Sequence, residues 1–90
     1  MTNIQEATSE NELSNDMLKA LWQVKKGNWD RAHEIAQSNE GQFDYDRIHA
    51  YLHRVEGDLF NAKWWYRQLG LAFPSITLDE EWELLADQYS

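Results

Sequence analysis

Apolar residues recur every three or four positions along most of the chain and nowhere alternate strictly, so the pattern predicts helices and no strands. The first helix, about 10–26, carries Leu13, Met17, Ala20, Leu21 and Val24, with Ser9 and Glu12 spaced as a capping box. A second, about 29–38, ends at the polar stretch "QSNEGQ". A third, about 44–56, shows Tyr45, Ile48, Leu52 and Val55, and a fourth runs about 59–69 before Gly70 and Pro74 break the chain. A fifth, about 78–89, opens with Thr77 and Glu80 as a second capping box and lines up Leu78, Trp82, Leu85, Ala86 and Tyr89. The expected architecture is an all-α single domain over 10–90, preceded by a flexible acidic segment at 1–9.

The middle of this pattern repeats. "KKGNWDRAHEIAQ" at 25–37 and "VEGDLFNAKWWYR" at 55–67 align Gly27 with Gly57, Asn28 with Asp58, Trp29 with Leu59 and Ala32 with Ala62. Upstream, Ala20 aligns with Ala50. A glycine ends one helix in the left-handed conformation, and the following Asn or Asp caps the next. Small alanines let antiparallel helices approach closely. These turns resemble those of tetratricopeptide-like helical hairpins over residues 12–69, at a spacing of 30 where that family has about 34. The resemblance implies two such hairpins, which the C-terminal helix would cap. "AHEIAQ", "HAYLHRVEGD" and "NAKWWYRQLG" resemble a family of short bacterial proteins; this implies a bacterial cytoplasmic origin and supplies no activity.

Trp64, Trp65 and Tyr66 stand in a row, and three successive helical residues sweep about 200° of the cylinder. Measured from Ala62, the residues Leu59, Trp65, Tyr66 and Leu69 share the inner face, whereas Phe60 and Trp64 point the opposite way. The equivalent positions in the first repeat are Asp30 and Glu34, which suit water. Trp82 and Leu85 of the fifth helix are expected to cover Phe60 and Trp64. Alternatively, this side is left for a partner, with Phe60, Trp64, Leu71, Phe73 and Trp82 as candidate contact residues.

Composition narrows the function classes. With no Cys there is no disulfide framework, thiolate metal site or thiol nucleophile. No apolar run is long enough to span a membrane, and no segment reads as a signal peptide, so the expected location is cytoplasmic. The net charge of −8 sits at the ends: residues 1–18 and 77–90 contain no Lys or Arg, while 19–76 are near neutral. That distribution disfavours nucleic-acid phosphates and anionic lipid. Lys19, Lys25, Lys26 and Arg31 gather near Trp22 and Trp29, and local salt bridges to Asp30 and Glu34 are the expected use of that small basic cluster.

Three histidines are the only residues pointing to site chemistry. His49 and His53 lie one turn apart on the third helix. His33, four residues into the second, falls at the same level as His53 if the two helices run antiparallel. The plainer expectation is three semi-buried side chains bonded to Glu, Tyr or backbone; the alternative is a metal or small-ligand site of His33, His49, His53 and Glu56. "HAYLH" lacks the Glu that follows the first His of a metalloprotease helix, and no nucleophile elbow or phosphate loop is present. The chain is therefore expected to be no enzyme and to need no cofactor. Its expected role is a small protein–protein interaction or scaffold module, binding through its concave helical face or its aromatic side. The partner would be another protein or a second copy of itself.

Overall fold

Two glycines set the chain path. Gly27 (φ +77°) and Gly57 (φ +86°) adopt the left-handed conformation that costs other residues about 1–2 kcal/mol. The bonds around them match at an offset of 30. Asn28 N donates to Gln23 O at 2.9 Å and Asp58 N to His53 O at 3.0 Å, while Gly27 N donates to Val24 O and Gly57 N to Arg54 O. Each turn is thus a Schellman ending followed at once by a new start, since Asn28 and Asp58 accept from the amides of Arg31 and Asn61.

The computed structural model describes residues 3–90. Its five helices are α1 (Asp16–Lys25), α2 (Trp29–Gln37), α3 (Phe43–Glu56), α4 (Leu59–Gln68) and α5 (Leu78–Tyr89), and the described residues form no strand. The chain is all-α, built of helical hairpins: α2 lies between α1 and α3, and α4 packs on α3. Ala20, Ala32, Ala50 and Ala62 are all fully buried at these crossings, the role their repeated placement predicts.

The first helix begins six residues later than expected. Ser14, Asn15 and Asp16 offer backbone-bonding side chains that compete with an unbroken helix. Asn15 takes the cap, its Oδ1 accepting from Leu18 N at 3.0 Å and its Nδ2 donating to Tyr89 O at 2.9 Å. Ser9 instead caps a single 3-10 turn at Glu10–Glu12, and the Glu12 carboxylate turns back to Thr8. The segment expected to be a flexible lead-in lies, over residues 3–9, against the bundle. Ala7 is buried with Leu13 and Leu18, Ile4 packs on them, and Trp22 Nε1 donates to Ala7 O at 3.1 Å. Met1 and Thr2 lie outside the described residues.

The largest departure from expectation concerns α5. It packs on α1 and α3, not on α4, so it fills the face those two helices share and leaves Phe60 and Trp64 uncovered. Trp82, expected at a contact surface, is a core residue at 1% exposure with its Nε1 donating to Leu21 O at 2.8 Å. The cause is electrostatic as well as apolar. Glu81 is also 1% exposed, and its carboxylate receives Arg47 at 2.7 Å and Arg54 at 2.6 Å, both from α3, together with the Tyr66 hydroxyl. A buried carboxylate requires such partners, and both cations come from α3. The Thr77–Glu80 capping box forms as expected.

Candidate functional site

Because α2 and α3 run antiparallel, His33 on the former meets His49 and His53 on the latter. His33 Nε2 and His49 Nε2 are 2.9 Å apart, and the ring centroids of His49 and His53 are 4.7 Å apart with the planes inclined at 28°. One nitrogen from each of the three rings lies within 4.8 Å of the other two. His49 and His53 are buried, whereas His33 is half-buried and opens the cluster to solvent. Two tryptophans close the ends: Trp29 stacks on His33 at 4.7 Å, and Trp65 stacks on His49 at 4.4 Å. Trp29 is itself anchored by its Nε1 bond to Leu52 O at 2.7 Å.

Glu56 is beside the cluster, as expected, and its role is specific. Its Oε1 lies 2.7 Å from His53 Nδ1, which also lies 3.5 Å from Asn61 Nδ2. A carboxylate can only accept there, so the contact favours the tautomer with its hydrogen on Nδ1 and its lone pair on Nε2. His49 is less well served. Its Nε2 faces His33, and its buried Nδ1 has no hydrogen-bond partner among the described residues. Burial pushes His49 down to about 4, with the neighbouring His53 and His33 adding to the effect; burial, then His53, also lowers His33. These two imidazoles are therefore neutral near pH 7.

The other expected positions are dispersed. Phe60 is 87% exposed and Trp64 46% exposed on the outer side of α4, with Leu59 beside them at 49%. Leu71 is exposed, while Phe73 packs edge-on against Tyr66 at 5.4 Å and lies under the Arg54 and Lys63 cations. Trp82 stands apart in the core. In the basic cluster, Arg31 bonds Glu10 and Glu34 rather than Asp30, Lys25 sits over the Trp82 ring, and Lys26 sits over Trp22. Among the described residues, no helix is long and apolar enough to cross a membrane.

The sequence reading did not identify Trp29 and Trp65 as the walls of the histidine cluster, nor the buried Arg47–Glu81–Arg54 group. The second left a trace: Glu81 lies three residues after Leu78 and four before Leu85, on the apolar stripe of α5. A carboxylate in that stripe requires cations on the facing helix, and Arg47 and Arg54 are two turns apart on α3. No family model matches the chain, and no curated protein or solved structure shows significant similarity to it.

Proposed function

We propose that this protein is a small protein–protein interaction module that docks a partner helix on the outer side of α4. The observation that carries this reading is the exposure of Phe60 and Trp64 at the open end of the helix stack. Within the molecule, α2 has a helix on each side, whereas α4 has α3 on one side only. An aromatic pair one turn apart on an unpartnered helix is the kind of anchor that dominates interface energetics. The face shared by α1 and α3, the other surface expected to bind, is filled by α5.

The chemistry of the partner follows from the flanks. Lys63 and Arg67 border the aromatic pair, and among the described residues neither forms an ion pair. The matching surface is an amphipathic helix with carboxylates along its edges. The likeness of the two turns to tetratricopeptide-like hairpins supports the same reading, because stacked helical hairpins bind through extended surfaces.

The test uses the purified chain as bait in its native host. The double variant Phe60→Ala, Trp64→Ala is expected to lose the partner by at least about tenfold while keeping its helical circular dichroism, because truncating a central aromatic anchor costs 2 kcal/mol or more. A control, Leu84→Ala on exposed α5, is expected to leave capture unchanged. Equal capture by the double variant, or its unfolding, contradicts the reading.

A further inference from the structure

We propose that His33, His49 and His53 form a three-imidazole site for a divalent transition-metal ion of the Zn²⁺ class, with Glu56 as the carboxylate that orients His53. The inference stands apart from the α4 surface, since none of these residues lies on the outer side of that helix.

Geometry is the first support. A tetrahedral ion about 2.0–2.1 Å from each imidazole nitrogen separates those nitrogens by about 3.3 Å. Here the closest pair is 2.9 Å apart and all three nitrogens lie within 4.8 Å of one another. Binding requires the rings to adjust to that spacing, and His33 is the half-buried member of the set. Three nitrogen donors without thiolate suit Zn²⁺, Co²⁺, Ni²⁺ or Cu²⁺ and do not suit Mg²⁺ or Ca²⁺.

The second support is the incomplete hydrogen bonding. A cluster serving only as core closes its own polar network, whereas His49 is 5% exposed and one of its ring nitrogens has no partner among the described residues. An apolar side chain there would fill the space without the penalty of about 1–3 kcal/mol for an unpaired buried group. Costs of this kind concentrate at sites with another purpose.

Glu56 completes the arrangement. A carboxylate holding the distal N–H of a liganding histidine is the usual outer partner in zinc sites, and the 2.7 Å contact with His53 Nδ1 is in place without any ion. Glu56 is thus a positioning residue, not a ligand. Asn61, from the start of α4, lies near the same nitrogen and ties the second hairpin to the site.

The test is titration of the full, chelator-stripped chain with Zn²⁺ by calorimetry and with Co²⁺ by visible absorption. The expected result is one equivalent bound, with the intense absorption of a tetrahedral Co²⁺ centre. His49→Gln is expected to abolish the signal, and Glu56→Gln to weaken binding by about 10–100-fold while Asp30→Asn leaves it unchanged. If His49→Gln does not fold, paramagnetic broadening by Co²⁺ in the wild type reads the location: it must centre on the rings of these three histidines. Absence of binding tighter than about 100 µM (about 5.5 kcal/mol), or broadening centred elsewhere, overturns the proposal.

Discussion

α2 and α4 occupy the same place in the repeat and have opposite fates. Both begin after a left-handed glycine, both are capped by a short polar side chain, and both bury an alanine against the preceding helix. Yet Trp29 at the head of α2 stacks on His33 and bonds across to α3, whereas Leu59 at the head of α4 is half in water. The turn chemistry determines the backbone and is indifferent to what comes next. Whether a helix becomes an internal wall or an open edge depends on where the following element docks. Here α5 docks on α1 and α3 instead of α4, its buried carboxylate held by two arginines of α3.

The most forceful way to break the comparison is to truncate the two helix heads. Trp29→Ala is expected to lower stability by about 3 kcal/mol, through lost packing on the histidines and a lost bond to Leu52 O. Leu59→Ala is expected to cost less than about 1 kcal/mol, because half of its surface already meets solvent. Chemical denaturation of both variants checks this; equal losses would mean that α4 is covered after all.

An acid titration sharpens the comparison at the point where the hairpins meet. His49 has a folded pKa near 4 against an ordinary value of 6.5, so below 6.5 the unfolded chain binds more protons than the folded one. The groups facing it are His33 from α2 and His53 on its own helix, with Trp65 of α4 closing the stack. Stability is therefore fully present above pH 6.5 and falls as the pH drops toward 4, by about 2–3 kcal/mol. Depressed carboxylates such as Glu10, held down by Arg31, act in the same direction at lower pH. His49→Phe in metal-free buffer is expected to flatten the slope between pH 6.5 and 4; an unchanged slope would remove the histidine cluster from the account.

These contrasts also mark what a reader of the sequence can see. α2 through α5 begin and end within a residue or so of expectation, because glycines, caps and breakers act locally. α1 departs for a local reason as well, since Asn15 outcompetes Ser9 as the cap. The meeting of the three histidines was legible because helical spacing and antiparallel packing suffice to set their level. The tryptophan walls and the Nδ1 role of Glu56 were not, as both depend on side-chain orientation that spacing leaves free. The docking of α5 was a choice between two apolar faces, decided by the one carboxylate within its stripe.

Five indole N–H groups report on that choice in a single amide-type hydrogen-exchange experiment on the labelled protein. Those of Trp22, Trp29 and Trp82 donate to backbone carbonyls of Ala7, Leu52 and Leu21. With α5 seated on α1 and α3, the Trp82 signal is expected to exchange slowest and that of half-exposed Trp64 to vanish first. A protected Trp64 together with a freely exchanging Trp82 in the monomer would place α5 on α4 and contradict the open edge.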